Sequence, residues 1–351
     1  MKVSKIPAIF AVSLFLTHLI NADTVVLKNG EEIKGKVIRE DEDNVVIEVM
    51  VTKSIKDEKT VPRAEIDLVR KVSPESKEFS VIQKLLPTPD LLSEEGYEER
   101  ITQVEKLIRK YPDARQVVGA KKVLAELRNE VELVRDGGFK FGGEFIAESD
   151  YDSNAYEYDV AIAEKEINDT VSRGDYLQVL RLFEDYEEKF NKPESYGEMR
   201  QLLLKVLSVY GKSVEQNLES FDRRLKARDN GLQQMAGEDR INSKKAIEEK
   251  DALVESRFQQ EKDAKETWVT PDPYHEDSLS SAAKQVERTV DRLESSDARE
   301  MPEKPLAEVY RSYWKKYGTA DEKMRKDFEK DLKKSGLPEA YVKKLEQRAG
   351  K

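Results

Sequence analysis

Apolar and polar residues alternate along residues 23–72, which is the pattern of half-buried β-strands. Separate apolar series begin at Val25, Ile33 and Val45, with shorter polar stretches between them. The Asn29-Gly30 pair separates the first two series, and Asn-Gly is a strong signal for a tight hairpin turn. The pattern predicts four or five short strands in a small antiparallel β-barrel, closed or nearly closed.

The period changes from that of a strand to that of a helix at Tyr97, and apolar residues then recur every three or four positions. Pro112 interrupts this series, so residues 97–135 are predicted to form a helical hairpin. Residues 73–96 are predicted to be a Pro-containing linker and the domain boundary, because a residue before proline is pushed out of helical geometry. Ser93 is expected to cap the first helix.

A second helical hairpin is predicted over residues 159–211, because its apolar positions match those of the first at a constant offset of 79. The matched positions of the first helix are Tyr97, Ile101, Val104, Leu107 and Tyr111, against Tyr176, Leu180, Phe183, Tyr186 and Phe190. Residues 136–158, between the hairpins, contain four glycines and three phenylalanines and predict a compact loop or small β-hairpin.

Residues 212–267 are predicted to form a long helix or helical arm. Their apolar seam runs from Val214 to Met235, and Arg228 occupies its one polar position. A bend near Asn230-Gly231 would fold the arm back on itself, and self-association through the arm is the alternative.

Residues 268–351 are predicted to form a Pro-containing loop followed by C-terminal helices, with Ser278 as the cap of the first. The elements together predict an α+β fold, in which a small N-terminal antiparallel β-barrel precedes αα-hairpins and a long helix.

Composition favours elongated helices over one large core. Hydrophobic residues make up 38% of the 351 residues, below the roughly 45–50% of ordinary globular proteins. Charged residues also make up 38%, with a net charge of −10. Because affinity for nucleic acid depends on a positive surface that neutralises phosphates, we expect no nucleic-acid partner. The absence of cysteine excludes thiol nucleophiles, cysteine zinc sites and disulfides.

The first 22 residues have the pattern of a secretory signal peptide. Lys2 and Lys5 precede an apolar stretch that is too short to span a bilayer, and Ala22 is a small residue at the expected cleavage site. The sequence therefore predicts a periplasmic or secreted protein with no integral membrane segment after cleavage.

The string LKNGEEIKGKVIREDEDNVVI, residues 27–47, resembles the first half of an Sm-like barrel, a small fold of the Sm/SH3 type. In that family an acidic turn ending in Asn helps to hold RNA, and Glu40 and Asn44 stand at the matching spacing. The family's Arg-Gly step is missing, and VPRAEIDLV stands in its place. The resemblance therefore implies the shape of the domain, and RNA binding is not expected.

The two helical hairpins resemble tetratricopeptide-type hairpins, whose concave side usually grips a peptide or a partner helix. The aromatic–Pro step at Tyr111-Pro112 and the Gly174-Asp175 turn carry this similarity. The strings LLPTPDLL, FKFGGEFIAE and WVTPDP together resemble a group of exported bacterial proteins named for the Pro-Thr-Pro-Asp-Leu string at residues 87–91. That resemblance implies export and no assigned activity.

These features favour an exported scaffold or adaptor that binds a protein partner or self-associates. The residues expected to contact the partner are Tyr97, Tyr111, Tyr176, Tyr186, Trp268 and Tyr274. The alternative is a binder of envelope carbohydrate, with aromatic residues of the 139–145 loop or Trp268 stacking on sugars. A hydrolase is less favoured, because it would have to rely on Asp, Glu, Lys or Tyr alone.

No catalytic residue, metal or cofactor is expected. Asp150, Asp152 and Asn154 imitate the start of a calcium loop, but Ala155 and Ala161 replace its required Gly and Glu, so an acidic surface loop is expected. A second acidic group surrounds the one histidine outside the leader, and a docking loop is the preferred interpretation there. Its members are Asp272, His275, Glu276 and Asp277.

Overall fold

The computed structural model describes residues 22–52, 55–295 and 299–348. The chain divides into two compact units, one that ends at Glu148 and one that begins at Ser149. This division falls within the predicted 136–158 loop and not in the 73–96 segment, so the sheet and the first helical hairpin share a unit. The predicted signal peptide lies outside the described residues, apart from Ala22.

The first unit begins with five antiparallel strands in the order β4-β3-β2-β1-β5. The strands are β1 (Asp23–Leu27), β2 (Glu32–Glu40), β3 (Asn44–Met50), β4 (Lys56–Pro62) and β5 (Ile66–Arg70). Within the part of the chain that the structure describes, β4 and β5 are edges that do not pair with each other. The α+β class is confirmed, but the sheet is open where a closed or nearly closed barrel was predicted.

The sheet buries the alternating apolar positions that predict it. Its core comprises Val25, Val45, Ile47, Val61 and Ile66. Gly35 of β2 has to be glycine, because an added Cβ would lie 2.1 Å from the backbone oxygen of Glu48 on β3. The buried carboxylate of Asp23 accepts backbone hydrogen bonds from Val37 at 2.9 Å and from Val72 at 2.8 Å, and so ties the first strand to the end of the sheet.

Three helices and a short β-hairpin complete the first unit. They are α1 (Pro74–Gln83), α2 (Glu94–Lys110), α3 (Val117–Arg135), β6 (Phe139–Phe141) and β7 (Glu144–Ile146). Helix α1 lies inside the predicted linker and starts at Ser73, whose hydroxyl accepts a hydrogen bond from the Ser76 backbone. The predicted Ser93 cap is confirmed, since its hydroxyl accepts a hydrogen bond from Gly96 N at 3.2 Å.

The second unit is helical throughout its described residues, apart from one isolated bridge. Its first helices are α4 (Glu148–Arg173), α5 (Tyr176–Phe190), α6 (Tyr196–Glu219), α7 (Phe221–Gln234) and α8 (Gly237–Asp263). The others are α9 (Glu276–Glu294), α10 (Leu306–Tyr317), α11 (Glu322–Ser335) and α12 (Glu339–Arg348). Among the described residues, no helix combines the length and the apolar character that crossing a bilayer requires.

The predicted offset of 79 holds for the starts of one helix pair, while α2 and α5 begin 82 residues apart, at Glu94 and Tyr176. Helices α3 and α6 begin at Val117 and Tyr196, which are 79 residues apart. The first hairpin packs with α1 around Tyr97 and Leu127, whereas in the second unit α6 packs against both α5 and α9. The second hairpin therefore takes part in a larger aromatic core, which includes Tyr156 and Tyr310.

Two boundaries within the helical region differ from the predictions. The arm bends at Met235-Ala236, five residues after the predicted site, since α7 continues through Gly231 and α8 starts at Gly237. Helix α9 is capped by the His275 ring, which accepts a hydrogen bond from Ser278 N, where Ser278 was expected to be the cap. Ser278 is instead fully buried.

Candidate functional sites

Three of the six residues predicted to contact a partner are buried in hydrophobic cores. Tyr97 is 0%, Tyr186 is 1% and Trp268 is 4% exposed. The predicted surface role is therefore replaced by packing, because buried rings offer no contact area to a partner. The burial of Trp268 also removes it as a stacking platform for sugars.

The other three predicted residues are half-buried. The Tyr111 hydroxyl donates a hydrogen bond to Glu78 at 3.0 Å, and Tyr176 packs against the core of the second unit. The Tyr274 ring is surrounded by cations, with Arg228, Lys250 and Arg224 at 4.9, 5.6 and 5.9 Å from its centroid. Such contacts favour a fixed ring position. Tyr111 belongs to the first unit, and Tyr176 and Tyr274 belong to the second.

A buried polar cluster forms around Thr88 in the first unit. The Thr88 hydroxyl donates a hydrogen bond to Glu130 Oε2 at 2.5 Å, and the Tyr97 hydroxyl donates to the same oxygen at 3.0 Å. Lys140 Nζ lies 3.1 Å from Glu130 Oε1 and 3.1 Å from Thr88 Oγ1. Burial raises the pKa of Tyr97, which keeps it neutral beside the carboxylate. The cluster holds an ion pair that water hardly reaches.

The residues that follow Thr88 are bound to the β6–β7 hairpin. The Asp90 carboxylate accepts hydrogen bonds from the backbone N–H groups of Gly142 and Gly143, each at 3.0 Å. Leu91 N donates to the backbone oxygen of Lys140 at 2.8 Å. The strings LLPTPDLL and FKFGGEFIAE, which the sequence places about fifty residues apart, are therefore one structural feature.

The second unit contains a second Thr-Pro-Asp string, at residues 270–272, with the same bonding scheme. The Thr270 hydroxyl donates to Glu261 Oε1 at 2.5 Å, and the Thr270 backbone N–H donates to Glu261 Oε2 at 2.7 Å. Arg181 pairs with Glu261 at 3.3 Å and donates to the backbone oxygen of Trp268 at 2.7 Å. Burial raises the pKa of Glu261, but the hydrogen bonds from Thr270 and the charge of Arg181 outweigh it and leave the pKa lowered.

The aspartate of the second string also fixes a turn. Asp272 Oδ1 accepts a hydrogen bond from Tyr274 N at 2.8 Å, and Asp272 N donates to Ser278 Oγ at 3.0 Å. The adjacent His275 uses both ring nitrogens, since Nδ1 accepts from Ser278 N at 3.2 Å and Nε2 lies 2.8 Å from Glu255 Oε2. The acidic residues around His275 are thus part of a helix start.

The sequence contains a signal for this arrangement, the repeated Thr-Pro-Asp string, from which no prediction was drawn above. Thr-Pro-Asp occurs at residues 88–90 and again at residues 270–272. The Thr hydroxyl and the Asp carboxylate bond to nearby backbone or side-chain groups, which is the usual role of these residues around a rigid proline. Two copies of such a string predict two fixed connections, although the partner glutamates cannot be read from the string itself.

The acidic groups suggested as ion or RNA sites are also engaged within the fold. Glu40, at the position of the Sm-family turn, pairs with Arg63 and, at 2.6 Å, with Lys71, and these contacts lower its pKa. Asp150 lies in helix α4, where a surface loop was expected. Over the described residues, no three His, Cys, Asp or Glu side chains are grouped in a way that could hold a metal ion.

Helices α7 and α8 form an arm, defined here as residues 221–263, whose seam contains the predicted polar position. Arg228 Nη1 donates hydrogen bonds to both carboxylate oxygens of Asp251, at 3.1 and 3.0 Å. This ion pair joins the two helices, and because its side chains are 22% and 40% exposed it contributes at most about 1 kcal/mol. The arm therefore folds back on itself, as one of the two alternatives predicted.

The outer part of the arm is open to solvent. None of the residues from 229 to 250 is buried. Ile241 is 66% and Leu253 is 71% exposed, and both lie on α8. The arm is attached at its base, where Tyr274 meets Arg228 and Arg224 donates to the Pro273 oxygen at 2.5 Å.

Comparisons of this chain with protein-family models, with curated proteins and with solved structures found no match.

Proposed function

We propose that the protein is an exported scaffold or adaptor of the cell envelope, and that the arm is the element that contacts its protein partner. The observation that carries the proposal is the exposure of residues 229–250 on a helical hairpin whose two helices are joined by the Arg228–Asp251 ion pair. A preformed helical hairpin offers a partner two solvent-facing helix surfaces. The leader-like pattern of residues 1–22 supports export.

The engagement of the polar groups supports a binding role over a catalytic one. Glu130, Lys140 and Glu261 are held in ion pairs and hydrogen bonds that connect segments of the fold. His275 is held by Ser278 and Glu255. The carbohydrate alternative has less support, because Trp268 is buried.

The proposal is tested by shortening the arm. Residues 230–249 are replaced by a short Gly-Ser turn, which retains Arg228, Lys250 and Asp251 at the base. The mature protein and this variant are used to capture partners from envelope extract, and bound proteins are identified by mass spectrometry. A Val118→Ser variant, changed at an exposed position of α3, is the matched control.

We expect a partner that the mature protein and the V118S control retain and that the shortened variant loses. Circular dichroism should show that the shortened variant keeps the rest of its helical structure. Equal capture by the shortened variant would contradict the role of the arm. Recovery of no partner, together with a strictly monomeric mass, would contradict the adaptor proposal itself.

A further inference from the structure

A cavity of about 360 Å³ in the second unit lies among helices α4, α10 and α12 and has no part in the proposed role of the arm. Its walls include Tyr310, Trp314, Lys344 and Arg348, together with Asp152. The volume is at the lower end of the roughly 300–1,000 Å³ typical of ligand pockets. The cavity therefore suits a ligand of the size of one sugar or one amino acid.

The guanidinium of Arg348 lies against this cavity without a carboxylate partner. Its central carbon is 4.1 Å from the centroid of the Trp314 ring. Its Nε is buried and makes no hydrogen bond, and no ion pair of Arg348 occurs among the described residues. Gly318 provides the space for this side chain, because an added Cβ would lie 3.2 Å from Arg348 Nη2. The guanidinium is fixed in position and retains unused donors.

A second cation, Lys344, lines the same cavity. Its Nζ donates to the Tyr151 hydroxyl at 2.8 Å and lies 3.8 Å from Asp159 Oδ2. Asp159 also accepts hydrogen bonds from Tyr151 and Tyr341, each at 2.9 Å, so its charge is shared among several donors. Lys344 is thus incompletely neutralised.

Asp159 partly compensates Lys344 from outside the lining of the cavity, whereas Arg348 has no such neighbour among the described residues. Asp152 is the carboxylate residue among the lining residues, and its backbone oxygen accepts a hydrogen bond from Tyr310 at 2.9 Å. Among the described residues, Asp152 forms no ion pair with Arg348 or Lys344. The cavity walls therefore carry two cations against one carboxylate.

We propose that this cavity binds a small ligand through a carboxylate group. A planar guanidinium matches a carboxylate through two parallel N–H···O bonds, and such charge-assisted bonds are roughly twice as strong as bonds between neutral groups. Arg348 supplies this pairing, and Lys344 supplies a second positive charge at the same wall. A uronic sugar and the terminal carboxylate of a peptide both present this chemistry, and the experiment separates them.

The test uses the two tryptophans of the chain as reporters. The protein is labelled with 5-fluorotryptophan, and ¹⁹F NMR follows titration at constant ionic strength. The probes are D-glucuronate and N-acetylglycine, each paired with its neutral analogue, D-glucose or N-acetylglycinamide. We expect a saturable shift of the Trp314 resonance with at least one carboxylate, while the Trp268 resonance stays unchanged.

Substitutions then assign the effect to the cavity. Arg348→Gln should weaken binding by at least about tenfold, a change that corresponds to about 1.4 kcal/mol. Lys344→Gln should weaken it by a smaller factor. Arg292→Gln is the matched control, because Arg292 pairs with Glu187 at 2.7 Å and lies outside the cavity. Thermal unfolding of each variant shows that the fold is kept.

A response to glucuronate alone identifies a sugar acid, and a response to N-acetylglycine alone identifies a peptide terminus. A response to both shows that the carboxylate is recognised by itself. No saturable shift with either carboxylate would overturn the proposal. An equal shift with the neutral analogues, or unchanged binding in both R348Q and K344Q, would overturn it as well.

Discussion

The threonines of the two Thr-Pro-Asp strings make the same kind of hydrogen bond, but the ion pairs they join differ in solvent exposure. In each, the threonine hydroxyl donates to a glutamate that is paired with a cation. The side chains of Glu130 and Lys140 are 7% and 9% exposed, whereas those of Glu261 and Arg181 are 14% and 31% exposed. Because unpaired charges cost more where water is excluded, the first string constrains its unit more strongly than the second.

The strings also connect different kinds of element. The first binds a β-hairpin through Asp90, and the second fixes the turn before α9 through Asp272. The same short string thus produces a connection suited to whichever element lies nearby. Such a string therefore predicts a fixed local course of the backbone, while its contribution to the free energy of unfolding depends on how deeply its partners are buried.

The largest effect is expected for Glu130→Gln. This change leaves the Lys140 charge buried without its partner, and breaking a buried pair from one side typically costs about 3–5 kcal/mol. Hydrogen exchange measured by mass spectrometry should show faster exchange in peptides covering residues 85–146 and little change in the second unit. A loss of unfolding free energy below about 1 kcal/mol, which is the range for exposed ion pairs, would contradict the stronger constraint inferred for the first string.

A smaller and pH-dependent effect is expected for Glu261→Gln. Since hydrogen bonds to charged groups contribute about 1.5–3 kcal/mol, the variant should lose a stability in that range near neutral pH. The folded-state pKa of Glu261 is lowered from 4.5, so its stabilisation is complete above pH 4.5 and is lost as the pH falls through the lowered value. Urea unfolding of both proteins across this range checks the prediction.

The difference between the wild-type protein and E261Q should therefore narrow in acid. A difference that stays constant from neutral pH to well below pH 4.5 would show that the ionised carboxylate has no such role.

The threonines give the most direct comparison of the two strings. Thr88→Val removes one of the two donors to Glu130 Oε2 and removes an acceptor from the buried Lys140, so it should cost about 1–3 kcal/mol. Thr270→Val should cost about 0.5–1.5 kcal/mol, since the Thr270 backbone N–H still binds Glu261. Local exchange rates near each string provide the measurement, and equal losses would remove the distinction between them.

The smallest effect is expected for Tyr274→Leu. The ring contacts three partly exposed cations at the base of the arm. Because these cations share one ring and remain partly in water, we expect a total loss of about 0.5–1 kcal/mol, the range for exposed cation–π sites. Exchange should accelerate in α7 near Arg228 with no change in the first unit. Tyr274→Phe keeps the aromatic face and should behave like the wild-type protein.

The sequence predicted much of the local structure, because the patterns of strands and helices are set by nearby residues. It did not predict the open sheet, since closure depends on whether β4 and β5, which are separated by residues 63–65, pair with each other. Helix α1 was missed because the prolines at residues 87 and 89 dominated the interpretation of the whole segment. Predicting the open sheet requires knowledge of tertiary contacts, whereas α1 has a local signal in its Ser73 cap and Pro74.

The candidate site residues show the same limit. Tyr97 and Trp268 stand at positions that an exposed or a buried ring could occupy, and only the surrounding helices decide between these. Arg228 was recognised as the polar position of the seam, but its partner Asp251 lies 23 residues away and becomes visible only when the arm folds back.

The most direct test of the account maps contacts of the arm. The photocrosslinker p-benzoylphenylalanine is placed at Ile241 or Leu253 of the arm and, as a control of similar exposure, at Val118 of α3. Irradiation of cells that express the full-length protein should give a discrete crosslinked partner from the arm positions and none from Val118. The same adducts from all three positions, or none from the arm, would contradict the proposal that the arm holds the partner.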